Sequence, residues 1–201
     1  MSSSTTERSR GRPRNAATDR AILQATRTLL LSRGYSGVSI EGVAREAGVA
    51  KTTIYRRWEN KSLLVFDAVF GTSEDVETDK NSETEVSLRS VVHSICKQFS
   101  MPEARIALPG ILAELVASEQ LRNKVESHIL GPERHAVRQM LKRAQEEGHV
   151  REDVDLEAVL DCIIGPAFYR MFDGGELNAE FEQGLLDALL RGIAPENPSA
   201  T

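Results

Sequence analysis

Apolar residues recur at three- and four-residue intervals in segment after segment of this chain, the spacing of amphipathic helices. Thr18 or Asp19 is positioned to cap a first helix, whose Ala21, Ile22, Ala25, Leu29 and Leu30 share a face until Gly34 stops it. Ser39 is a good cap for a short second helix that carries Val43 and Ala44 inward, and Gly48 ends it where the backbone needs a positive φ. A third helix starts almost at once, from Ala50 to about Arg57, sending Ile54 and Trp58 toward the second. Asn60 caps a fourth, with Leu63, Leu64, Phe66, Val69 and Phe70 apolar.

Residues 71–81 are polar, acidic and without period, hence a loop. Ser82 and Glu85 have capping-box spacing and open a helix to about Phe99 that buries Val86, Val91, Val92, Ile95 and Phe99. Pro102 suits the first turn of the next, which runs to about Ser118 through Ile106, Leu108, Ile111, Leu112 and Leu115, with Pro109-Gly110 a place for a kink. Residues 119–147 read as one interrupted helix or as two, because Gly131-Pro132 falls in the middle. Asp153 or Asp155 caps a helix over 156–172, and a last helix spans 178–193. There Leu185, Leu186, Leu189 and Leu190 make two adjacent apolar stripes, which implies two packing partners. The expected fold is all-α with about nine helices.

Within 38–61 the two short helices have helix-turn-helix spacing. Ala44 fits a close crossing, and Val49 and Ile54 close the small core. Lys51, Thr52, Thr53, Tyr55 and Arg56 are left on the outer faces. Those side chains can meet a duplex: threonine touches base edges, Lys and Arg reach guanine or phosphate, and a tyrosine hydroxyl holds a phosphate.

A formal charge of −5 looks wrong for a nucleic-acid binder until it is divided along the chain. Residues 1–61 hold twelve Lys and Arg against five Asp and Glu, a net +7, and the rest hold thirteen against twenty-five, a net −12. A basic front third and an acidic remainder favour one docking orientation on phosphate. Spaced arginines at Arg8, Arg10, Arg12 and Arg14 around Gly11 and Pro13 fit either a minor-groove arm or a solubilising tail.

The run Gly34-Tyr35-Ser36-Gly37-Val38-Ser39-Ile40, followed by Val43-Ala44, Ala47-Gly48-Val49 and Lys51 to Trp58, resembles the tetracycline-repressor family over roughly 18–70. One departure stands out: Ala50 occupies the place where relatives carry a capping Ser or Thr, which weakens the helix start by about 1 kcal/mol. The resemblance implies an N-terminal helix-turn-helix DNA-binding domain (16–61) behind a disordered basic arm (1–15). It further implies a C-terminal helical ligand-binding and dimerisation domain (62–194) before a disordered tail (195–201). The expected function is a ligand-responsive repressor that binds a palindromic operator on double-stranded DNA as a homodimer. The DNA-contacting set is then Arg12, Arg14, Ser39, Lys51, Thr52, Thr53, Tyr55, Arg56 and Lys61. Phe66, Val69, Ile95, Phe99, Ile111, Leu115, Phe168, Tyr169 and Met171 are expected to line a pocket for an unidentified small-molecule effector, lipophilic or aromatic. Phe181, Leu185, Leu186 and Leu189 are expected at the dimer interface.

Other chemistry finds little support. His93, His128, His135 and His149 have no metal or catalytic spacing, so no metal and no cofactor is expected. Cys96 and Cys162 sit in apolar surroundings that suggest buried, inert thiols, and two cysteines make no disulfide framework. Phosphate loops, nucleophile elbows and zinc-protease helices are missing, so no catalytic residue is assigned. The longest apolar stretch, 106–117, is too short to span a bilayer and carries Pro109 and Glu114, and no signal peptide precedes it, so a cytoplasmic protein away from membranes is expected. Two other readings are a DNA-binding regulator answering to a protein partner or a cysteine redox signal, and a helical enzyme or adaptor.

Overall fold

Local capping chemistry decides where many of the helices begin. The structure, a computed structural model, describes residues 12–71 and 84–195. Ser39 accepts from the Gly42 amide at 3.1 Å and opens α2 (Ile40–Glu46). Asn60 accepts from Leu63 at 2.9 Å and opens α4 (Lys61–Phe70). Asp155, not Asp153, caps α9 (Leu156–Phe172), and Asn178 caps α10 (Ala179–Ile193) through the Phe181 amide. Each side chain satisfies an amide that the first turn would leave without a partner. Ala50 does not: α3 (Lys51–Tyr55) starts with no side-chain cap.

Helix α1 (Arg12–Gly37) corrects the expected start at Thr18 or Asp19. Arg12 and Arg14 therefore lie in its first turn rather than in an extended arm. Pro13 suits a first turn, where no amide donor is needed, and nothing between it and Asp19 breaks the helix. Asp19 instead makes a 2.6 Å ion pair with Arg57, a contact of charge rather than of aligned hydrogen bonding. Gly34, at φ 68 and ψ 174, interrupts α1 as expected, yet Tyr35 to Gly37 follow as a further helical turn. Residues 1–11 and the expected Ser82 cap lie outside the described residues.

Helix α5 (Thr84–Ser100) leads to α6 (Pro102–Ala117), which contains Pro109 and has Pro102 in its first turn. Ser118 then caps α7 (Glu119–Val125) through the Leu121 amide. A π-helical turn (Glu126–Leu130) joins α7 to α8 (Gly131–Glu146) without a loop, which resolves the open reading of 119–147 as two α-helices in one interrupted run. The widened turn follows from composition. The Gly131 amide bonds to the Glu126 carbonyl, five residues back, and a Cβ on Gly131 would stand 2.6 Å from that oxygen. Pro132 has no amide to offer the regular ladder. The described residues thus hold ten α-helices where nine were expected.

One continuous core runs through both halves. Ile22, Leu30, Val43, Ile54 and Leu64 are fully buried in the front part, and Leu88, Val92, Ile111, Leu141, Ile163 and Leu186 behind it. Helix α4 is buried on nearly every side, and the tilted ring contacts Phe66–Phe70 at 5.0 Å and Phe70–Phe99 at 5.7 Å, with the edge-on contact Phe99–Phe168 at 6.3 Å, carry packing from α4 through α5 to α9. On the far surface Arg134 joins Glu157 and Asp161 at 3.3 Å each, tying α8 to α9.

Candidate nucleic-acid interface

The reading pair is built from its small core outward. Val43 and Ile54 are inaccessible, Ala44 is 5% exposed at the crossing, and Trp58 closes the far end with its indole Nε1 donating to Asp67 Oδ2 at 2.7 Å. Burial raises the Asp67 carboxyl pKa despite that bond. Gly48 turns the chain at φ 66, in the left-handed region that glycine enters without strain, and lets the Val49 amide return to the Ala44 carbonyl at 2.9 Å. With Ile54 pinned inward, α3 must turn its other faces out.

Lys51, Thr52, Tyr55 and Arg56 are exposed, Tyr55 to 51%, and Thr53 is half-buried. Three of the expected contacts have intramolecular partners. Lys51 Nζ pairs with Glu41 at 3.0 Å on the open surface, which lowers the Glu41 pKa and raises that of Lys51 through their hydrogen bond. Lys61 Nζ lies 4.1 Å from the centre of the Tyr35 ring and donates to the Tyr35 carbonyl at 3.4 Å. Ser39 is exposed while serving as the α2 cap. Side chains at Arg12 and Arg14 are outside the described set. Arg57 is a structural cation, held by Asp19 and by the Thr53 carbonyl at 3.4 Å.

The expected effector and dimer residues divide. Phe66, Val69, Phe99, Ile111 and Met171 are buried, and Ile95, Leu115 and Phe168 half-buried, all within one packed cluster. Tyr169 is 65% exposed and cannot line an internal pocket: on α9 it falls on the stripe of Cys162, Gly165 and Phe172, opposite the buried Ile163 and Ala167. Leu186 and Leu189 are 1% and 7% exposed because they close the chain's own core, so they are not free to meet a partner; Phe181 and Leu185 remain half-buried. Cys96 is buried, and burial pushes its thiol up to about 11; Cys162 is exposed, contrary to its apolar neighbours in sequence.

Comparison with known proteins decides the family. Residues 22–68 match the family described as bacterial regulatory proteins, tetR family, and residues 82–189 match the tetracyclin repressor-like C-terminal domain. The chain belongs to the tetracycline-repressor family. It is 30% identical over 191 residues to the uncharacterized HTH-type transcriptional regulator YdeS of Bacillus subtilis, covering 92% of this chain and 93% of that one. It is 28% identical over 184 residues to the DNA-binding transcriptional repressor TetR of Mycobacteroides abscessus, covering 90% and 94%. The crystal structure of the TetR family transcription regulator SCO0332 superposes with a TM-score of 0.65 at 28% identity, covering 89% of this chain and 99% of that one. This family member is thus a transcriptional regulator with an N-terminal helix-turn-helix domain. Among the described residues no helix is long and apolar enough to cross a membrane.

Sequence reasoning missed one group at this interface. Tyr35, Ser62 and Glu114 come together behind the reading pair, with the Tyr35 hydroxyl 2.8 Å from Glu114 Oε1 and 3.1 Å from Ser62 Oγ. The sequence carried one clue, a glycine at position 110 inside an apolar helix.

Proposed function

We propose that the protein is a cytoplasmic repressor that binds a palindromic operator as a homodimer and lets go when a small lipophilic or aromatic molecule enters its regulatory domain. The observation that carries this reading is the exposed set Lys51, Thr52 and Tyr55 on a helix whose Ile54 is wholly buried, with exposed Arg56 at its C-terminal end. That helix presents guanine, phosphate and thymine-methyl partners on its solvent side. The repressor description of the Mycobacteroides relative supports the sign of regulation.

A head this small reads too few base pairs to select a site alone, so two must act together. The outward faces of α9 and α10 support pairing between copies. Cys162, Gly165 and Phe172 on α9 and Gly184, Ala188 and half-buried Leu185 on α10 form small and apolar stripes that allow close helix approach. Phe172 is 76% exposed, an unusual place for a phenylalanine unless a partner covers it. The ring series Phe66, Phe70, Phe99 and Phe168 supports an aromatic or lipophilic effector, because a ligand wedged among these rings would press directly on α4.

The test is a fluorescence-anisotropy titration of full-length protein against the promoter duplex beside its own gene, with stoichiometry from sedimentation. Saturable binding of two protomers per site is expected, and lipophilic or aromatic additives should reverse it. Sequence-independent binding alone, or a lone protomer on the site, would overturn the proposal.

A further inference from the structure

Helix α1 of the reading head, the connecting helix α4 and helix α6 of the regulatory domain converge on a single carboxylate. Tyr35 stands in the last turn of α1, Ser62 in the first turn of α4, and Glu114 belongs to α6. The Tyr35 hydroxyl donates to Glu114 Oε1 at 2.8 Å, and the Ser62 hydroxyl donates to Glu114 Oε2. A carboxylate is suited to this, having two acceptor oxygens and no proton of its own, and its bonds are stronger than neutral ones. One turn earlier on α6, Gly110 makes room for the Tyr35 ring: a Cβ there would lie 2.1 Å from Tyr35 Cδ1. Burial, with Glu114 beside it, pushes the Tyr35 phenol up to about 12, so it stays a donor.

A second strut lies close by. Lys124 on α7 pairs with Glu59 in the turn between α3 and α4. The corner between α6 and α7 is itself fixed, because Arg122 donates to the carbonyls of Leu115 and Val116 at 2.6 and 3.2 Å. The regulatory domain therefore grips the α3–α4 turn and the start of α4 from one corner.

We propose that Glu114 is the positioning residue through which the regulatory domain sets the angle of the reading head, with Tyr35 and Ser62 as its two anchors there. A shift of α6 by about 1–2 Å, the usual size of helix movements in switches, breaks both bonds together. A head freed in this way holds the binding geometry for a smaller fraction of the time, and apparent affinity falls by that fraction. A loose head also tolerates altered half-site spacing better. The proposal rests on the DNA-binding reading above.

The test uses full-length protein and the palindromic duplex that the wild type enriches from a random-sequence pool, alongside the same duplex with one base pair added between half-sites. Glu114→Ala and Tyr35→Phe should each weaken binding roughly 3- to 10-fold, and the double variant should be no weaker than the worse single one. Both should narrow the wild type's preference for the original spacing, a readout that a loss of stability alone would not move. Unchanged affinity and spacing preference in the folded variants overturns the proposal, as does a double variant that loses the product of the two single effects. Should Glu114→Ala fail to fold, Tyr35→Phe decides alone, since it keeps the ring and removes one hydroxyl. If the wild type enriches no duplex, the failure belongs to the functional reading and this proposal falls with it.

Discussion

Replacing Gly110 with alanine adds one methyl group where there is no room for it. The new Cβ would stand 2.1, 2.5 and 2.7 Å from Tyr35 Cδ1, Cε1 and Cγ, against an ordinary carbon–carbon separation of about 3.5–4.0 Å. The ring must retreat by about 1.5 Å, which carries its hydroxyl beyond hydrogen-bonding reach of Glu114. Overpacking of this kind costs about 1–3 kcal/mol and the lost hydrogen bond about 1 kcal/mol more. Against this, alanine gains about 1 kcal/mol over glycine within a helix. The clash wins by about 1–3 kcal/mol, which lowers the melting temperature by roughly 2–12 °C for a chain of this size.

Circular dichroism melts of wild type and variant measure the effect, and Tyr35→Ala tests its cause. With the ring gone only the helix preference remains, so in that background Gly110→Ala should stabilise rather than destabilise. A Gly110→Ala protein that melts with the wild type, or the same loss in both backgrounds, would refute the packing account.

Tyr55→Phe should weaken operator binding by about 0.5–1.5 kcal/mol if the hydroxyl holds a phosphate, and an equal affinity by anisotropy would remove that role. Ala50→Ser supplies the missing α3 cap and should stabilise the reading head by about 1 kcal/mol in denaturant melts; no gain would mean that the first-turn amides already have partners. Tyr35 should titrate at about 12, raised from 10.0 chiefly by burial. The sign follows from linkage: below 10.0 the phenol is protonated folded or unfolded and its contribution is intact. Between 10.0 and about 12 only the unfolded chain ionises, so stability falls as pH rises. A tyrosinate absorbance step at about 12 that survives Tyr35→Phe would assign it elsewhere.

Much of the fold was readable because its determinants are local. Ser39, Asn60 and Asn178 cap helices by reaching an amide three residues ahead, and Gly48 turns the chain by its own conformational freedom. The outward set on α3 followed from the burial of Ile54 alone. What sequence could not supply is tertiary. Tyr35 and Glu114 are 79 residues apart, and no local pattern links the one to the other. The leucines of α10 were legible as two stripes, but which stripe faced inward depended on where α5 and α9 lie, and Leu186 went to the core. Tyr169 and Cys162 misled for a related reason: apolar neighbours in sequence occupy the opposite face of the same helix. The start of α1 was misplaced because good caps at Thr18 and Asp19 outweighed the helix-compatible Pro13 before them.

Sequencing the duplexes that full-length protein retains from a random pool tests most directly whether paired heads read DNA. Enrichment of an inverted repeat is expected, its half-site centres about one helical turn apart, near 34 Å. Retention without sequence preference, or enrichment of a single unrepeated half-site, would contradict the account.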